Sequence, residues 1–176
     1  CDTESHNFST TGWQYSINMM DELWVPSQQN VEAAKRSGVT IPIKIVPHSV
    51  DISQYKNTEG DKIQQMDGCF TFGFVGEFIE RKNVKALIQA FHIEFGTREP
   101  VNMFIKTSRV SLEMVQDYCT QVRKGLKIRK DYKKEIVVVG IMPKQDYISV
   151  LSQVDCFVMP SRGEAFCIPA LEAMAL

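Results

Sequence analysis

Glu164 and Glu172 stand eight positions apart in the stretch PSRGEAFCIPALEAMAL, residues 160–176, across a loop of small residues and the start of a helix. Carboxylates accept hydrogen bonds, so a pair flanking a loop that runs into a helix is a candidate site for a polar ligand. A second group of charges, Glu77, Arg81 and Lys82, follows the apolar run CFTFGFVG. Fixed charge at the end of a strand can steady a charge that develops on a ligand there. Other chemistries lack their residues. No Ser/His/Asp order, no G-x-x-x-x-G-K-[ST] loop and no G-x-G-x-x-G occurs, so acyl transfer, NTP hydrolysis and dinucleotide redox have no support. No clustered His/Asp/Cys ligand set is present, so neither a metal nor another cofactor is expected.

The elements that must position these residues read as alternating short apolar runs and segments of helical period, the pattern of strand-helix units around a parallel sheet. LWVPS is followed by a helix through QQNVEAAKRSG that Ser27 can cap and Gly38 stops, and then by the strand IKIVP. The polar stretch ISQYKNTEGDKIQQMDG has little period and many turn formers, and reads as a linker. Beyond it come CFTFGFVG, a helix with Val84, Leu87, Ile88, Phe91 and Phe95 on one face, and the strands VNMFIKT, EIVVVG and CFVMP. Between these strands lie a long helical or irregular segment, 111–134, and a helix over YISVLSQV. The strands are continuous apolar runs, so both sheet faces should be covered. The expected fold class is α/β, a Rossmann-like parallel sheet with helices on both faces. The expected domains are residues 1–50, a linker at 51–69, and 70–176. In such sheets ligands bind at the carboxyl ends of the strands, where loops run into helix amino termini, and the charged residues above do follow strands.

Taken in order, DELWVPSQQNVEAAKRSGV, KIVPHSVD, FGFVGEFIERKNVKALIQAF, IVVVGIMPKQDYISVLSQVDCFVMPS and GEAFCIPALEAMA resemble the retaining, nucleotide-sugar-dependent glycosyltransferases of the GT-B fold, family 4. The likeness spans nearly the whole chain, and its last segment is the most specific. It implies transfer of a sugar from a nucleoside-diphosphate donor with retention at the anomeric carbon. Glu164 would bond a donor-sugar hydroxyl and Glu172 the ribose hydroxyls. Lys82 would neutralise the departing diphosphate, with Arg81 as auxiliary. Gly76 would sit at the donor site, and the backbone of Phe166, Cys167 and Ile168 would face diphosphate or sugar. Ile141 and Met142 would contact the base through backbone atoms.

The chain departs from the family's pattern at three places. Ala165 and Cys167 stand where glycines are usual, which would tighten the approach or alter the sugar preference. Glu77 stands where an arginine is usual, and a carboxylate there repels phosphate unless nearby cations compensate. His48 takes a hinge position often held by asparagine and is not expected to be catalytic. Lys106, closing VNMFIKT, has two readings, a side chain pointing into the crevice at the strand ends and, favoured by its residue type, an exposed strand-end lysine.

By the same resemblance, residues 1–50 would be the end of an acceptor-side domain and 70–176 most of the donor-binding domain. The chain would then be a fragment with little turnover alone, prone to self-association through uncovered apolar surface. The donor would be a UDP-, GDP- or ADP-sugar, and the acceptor a glycan, lipid or small molecule. The alternatives are an inactive nucleotide-sugar-binding or interaction module of the same fold and a sugar-nucleotide epimerase.

Composition sets outer bounds. At 44% hydrophobic and 23% charged, with a net charge of -1, the chain has no global attraction for nucleic acid. Arg123, Lys124, Lys127, Arg129, Lys130, Lys133 and Lys134 form a local basic cluster, expected to be a solvated loop. Five scattered cysteines without a C-x-x-C pair point to a reducing compartment, and a cytoplasmic location is expected, with the membrane periphery open to the longer protein.

Overall fold

The computed structural model describes residues 3–56 and 63–176, which form two units. The first comprises the chain up to Val50 together with Gly163–Ile168, and the second Asp51–Arg162 with Pro169–Leu176.

In the first unit, α1 (Trp13–Ile17) precedes β1 (Leu23–Val25), α2 (Gln28–Arg36) and β2 (Ile43–Ile45), and β1 pairs with β2 in parallel. Ser27 starts α2 from extended backbone, its hydroxyl accepting the Asn30 N–H and so satisfying one of the helix's orphan donors. Lys35 and Arg36 lie in the last turn, where cations suit the helix dipole. Phe8, Leu23, Val25, Val31, Ala34 and Val39 form the core of this unit.

The second unit is a four-stranded parallel sheet in the order β5-β4-β3-β6, built from β3 (Phe70–Val75), β4 (Val101–Thr107), β5 (Ile136–Val139) and β6 (Cys156–Phe157). Its helices are α3 (Val84–Glu94), α4 (Leu112–Leu126), α5 (Lys144–Leu151) and α6 (Ile168–Ala173), the last belonging to this unit from Pro169 onward. The helical period read from the sequence is the buried face of α3: Val84, Leu87, Ile88 and Phe91 pack with Phe74, Met103, Ile105, Val115, Cys119 and Val122. Each such large apolar side chain contributes about 1.5–3 kcal/mol on burial. Burial also pushes the Cys119 thiol up to about 12, leaving a packing residue rather than a nucleophile. Met66 and Tyr55, from two 3-10 turns in the segment read as a linker, are buried as well; the middle of that segment, 57–62, lies outside the described residues.

The basic cluster corrects the sequence reading, because it is not simply a solvated loop. Arg129 spreads its guanidinium over the free carbonyls at the end of α3, donating to His92 O at 2.7 Å, Ile93 O at 3.2 Å and Glu94 O at 3.3 Å, and also to Phe95 O. Those carbonyls have no helical partner, so five fixed N–H donors on one cation answer an obligatory need. Lys133 donates to Val101 O at 2.8 Å. Arg123 pairs with Glu135, whose other oxygen lies 2.7 Å from His92 Nε2, and the Glu135 and His92 side chains are 2% and 1% exposed. This buried group fastens α3 and α4 to the start of β5.

Breaking a buried ion pair strands the surviving charge without solvent. Glu135→Ala should therefore lower stability by about 3 kcal/mol in two-state urea unfolding. A loss below about 1 kcal/mol, the range of surface pairs, would show that the group bears little load.

Candidate functional site

Sheet order decides where a site can form in the second unit. From β3 the chain moves outward through β4 to β5, then returns to place β6 on the other side of β3, so the order reverses between β3 and β6. Loops leaving the carboxyl ends of those two strands diverge and leave a crevice. Here hydrogen bonds tie them across it: Asn83 Nδ2 donates to Pro160 O at 3.2 Å, and the Arg162 N–H to Arg81 O at 2.9 Å. Glu80 and Arg162 add an ion pair at 3.0 Å. Arg81 and Lys82 lie on the 3-10 turn Glu80–Lys82, which ends at Asn83 in left-handed backbone (φ 54°). Lys82 is buried and Arg81 half-buried, so Lys82 is not the freely solvated helix-start charge that its position alone would allow.

The next strand ends form a cleft of about 240 Å³ lined by Val75, Gly76, Lys106, Thr107, Ser108, Gly140, Ile141, Met142 and Tyr147. It gathers four of the residues singled out in the sequence: Gly76, Lys106, Ile141 and Met142. A Cβ on Gly76 would come within 2.9 Å of the fully buried Phe74 ring, which would have to shift to admit any side chain here. Ile141, although part of the cleft lining, is 98% exposed. Lys106 is a correction: far from exposed, it is 6% accessible, because its ammonium donates to Gly140 O at 2.5 Å and Thr107 O at 3.1 Å instead of to water.

Glu172 lies on α6, also buried. Its Oε1 accepts from Tyr55 OH at 2.7 Å and Lys144 Nζ at 2.7 Å, and its Oε2 from Tyr147 OH at 2.7 Å. The Lys144 ammonium also stands 4.7 Å from the Tyr55 ring centre and 5.5 Å from that of Tyr147. Tyr147 is shared: it lines the cleft and holds Glu172, so the two features adjoin. Glu77, whose carboxylate would repel an anion, is paired by Arg109 at 2.9 Å, and Arg109 sits at φ 61°. Glu164, Phe166 and Cys167, half-buried, and the exposed Ile168 belong to the first unit, where the Phe166 ring lies 4.9 Å from that of His48.

Residues 56–176 match the protein-family model described as glycosyl transferases group 1. The chain belongs to this family. Over 100 residues, 53% of its length, it is 29% identical to the serotype-specific mannosyltransferase WbdA of Escherichia coli, of which it covers 11%. Its fold is similar to that of a UDP-forming α,α-trehalose-phosphate synthase from Burkholderia xenovorans, solved in complex with glucose-6-phosphate (12% identity, TM-score 0.72, 94% of this chain and 46% of that one). It is also similar to the C-terminal domain of the group 1 glycosyl transferase LpcC from Francisella tularensis (22% identity, TM-score 0.54, 72% of this chain and 66% of that one). The chain thus spans about half the length of the trehalose-phosphate synthase, at 46%, and far less of the mannosyltransferase, at 11%. Its architecture is the Rossmann-like α/β arrangement of GT-B proteins, as expected from the alternating elements. No described helix is long and apolar enough to cross a membrane.

Four residues escaped the sequence reading: Tyr55, Lys144, Tyr147 and Arg109. Lys144 and Tyr147, three apart at the start of α5, share one helical face, a signal that could have been used. Tyr55 stands 117 positions from Glu172, and no local pattern joins them.

The cluster sets the charge of Glu172. Burial alone would raise its pKa, but the bonds from Lys144, Tyr147 and Tyr55 outweigh that, and the net shift is downward. For Lys144, burial works downward and the bonds to Glu172 and Tyr55 prevail upward. A depressed carboxylate contributes stability that is present above its ordinary pKa of 4.5 and lost as pH falls through the lower folded value. Glu172→Gln should therefore be less stable than the parent near neutral pH, with the gap closing as the pH drops below 4.5. A gap that stays constant across that range would mean that the carboxylate charge is not what the cluster holds.

Proposed function

We propose that this chain carries the donor-binding part of a glycosyltransferase that moves a sugar from a nucleoside diphosphate to an acceptor with retention at the anomeric carbon. The observation that carries this reading is Glu172: a buried carboxylate, kept ionised by three donors, beside a cleft at the carboxyl ends of the strands. Hydrophobic packing would fill that place at lower cost than a buried charge, so the charge fits a ligand that brings its own hydrogen-bond donors. A ribose diol is such a ligand, able to share Glu172 with Tyr147 or to displace Tyr55 and Lys144 from it.

In this reading Lys82 and Arg81 at the strand-order reversal neutralise the leaving diphosphate. Glu164 holds a donor-sugar hydroxyl. The base rests against the backbone at Ile141 and Met142, with Gly76 leaving room beside it. Rate acceleration then comes from positioning and from stabilising the departing charge, without a protein nucleophile. No metal is needed, since fixed cations serve the diphosphate. The Arg109–Glu77 ion pair supports competence over an inactive module, because it offsets the carboxylate that stands directly after Gly76. Among structures of similar fold, one is a trehalose-6-phosphate synthase described as bound with UDP-2-fluoro glucose, which is in keeping with a nucleotide-sugar donor.

Calorimetric titration of UDP, GDP and ADP into the chain tests the reading. At least one should bind, and Glu172→Ala should weaken it by roughly ten- to hundredfold, the worth of hydrogen bonds to a charged group. If a folded sample binds none of the three, the reading is wrong. In the longer protein, sugar transfer or donor hydrolysis that survives Glu164→Ala unchanged would remove the assigned role of that residue.

A further inference from the structure

A buried lysine without a counter-charge stands out in the second unit. The Lys106 ammonium lies in the cleft wall, and among the described residues its bonds are to two main-chain carbonyls, Gly140 O at 2.5 Å and Thr107 O at 3.1 Å. No carboxylate pairs with it there. Burying an unpaired cation is costly, and burial indeed lowers its pKa. A perturbed ionisable group in a cleft is a candidate for a functional position.

Geometry says what that position can do. The two carbonyls fix the ammonium in place, and Gly140 presents its carbonyl from left-handed backbone (φ 95°), which only glycine adopts readily. An ammonium has three N–H donors, and two are used, so one remains for a ligand acceptor. Around it the cleft offers Val75, Ile141 and Met142 with the hydroxyl-bearing Thr107, Ser108 and Tyr147 and, among the described residues, no second cation, a lining that suits a flat ring better than a doubly charged group. Tyr147 lines this cleft and also donates to Glu172, where a ribose would be held, so the two features adjoin.

We infer that Lys106 reads the nucleobase, donating to a ring carbonyl and so selecting a keto base, uracil or guanine, over adenine. This rests on the donor-binding reading above. Uracil and guanine carry an exocyclic oxygen acceptor where adenine carries an amino group, itself a donor, which would meet the ammonium unfavourably. The carbonyl class is the shared chemistry, and separate titrations tell its two sources apart.

The test uses the whole chain, with UDP, GDP, ADP and the nucleosides uridine, guanosine and adenosine as probes. The parent should bind UDP or GDP at least about tenfold more tightly than ADP, and which of the two is preferred names the base. Lys106→Met should lose roughly ten- to hundredfold for the keto nucleotide and a comparable factor for its nucleoside, with ADP little changed, so that the preference flattens. Lys106→Gln, which keeps an N–H donor without the charge, should hold part of the preference, and a cooperative thermal melt of each variant confirms its fold. Three results would overturn the inference: a parent that prefers ADP, an unchanged Lys106→Met, or a loss that is equal for all three diphosphates and absent with nucleosides. The last would assign Lys106 to the diphosphate. If the parent binds no diphosphate at all, the donor-binding reading itself falls, a result distinct from these three.

Discussion

A carboxylate that leaves water must find donors, and Glu172 finds three, from the turn at Ile52–Tyr55 and from α5. That requirement draws together parts of the second unit that are far apart in the chain. Packing alone gives no reason for the arrangement, since an apolar side chain of similar volume would fill the place without the cost of desolvating a charge. The cluster makes sense as a site held ready: the charge is secured, its orientation fixed by Tyr147 and Lys144, and its surroundings shared with the cleft. Preorganised polar groups of this kind spend their ordering cost on folding rather than on binding.

The rest of the site follows from strand order. Because β6 returns to the far side of β3, the loops after both strands meet at the reversal, and the chain spends its hydrogen bonds there, Asn83 to Pro160 and Arg162 to Arg81. Lys82 is thereby buried near a strand end, where a cation acts with less screening than at an open surface. Glu77 shows the converse. Its charge is wrong for an anionic ligand, and a nearby arginine, not a substitution at its own position, answers it.

Apolar runs and helical period made the fold legible, because burial imposes them locally: the face of α3 and each strand of the second unit lie where their residue patterns place them. The candidate site was legible only in part. Gly76, Ile141 and Met142 share one cleft because all three follow strands that end at the same edge of the sheet. Tyr55 was invisible, since its partnership spans most of the chain, and its surroundings read as linker by composition alone. The burial of Lys106 and the carbonyl-capping role of Arg129 were missed for a common reason. Lysine and arginine are ordinarily solvated, and nothing in their neighbours' identity announces that main-chain carbonyls will replace water around them.

The central claim, that Glu172 exists to hold a ribose diol, is tested most directly by removing the diol rather than the residue. Binding of the tightest of UDP, GDP and ADP should be compared by calorimetry with that of its 2′,3′-dideoxy counterpart, in the parent and in Glu172→Gln. The account predicts that the dideoxy ligand binds the parent roughly tenfold or more weakly, and that most of this difference vanishes in the variant. Equal affinity of the parent for the two ligands, or the same difference in both proteins, would contradict it.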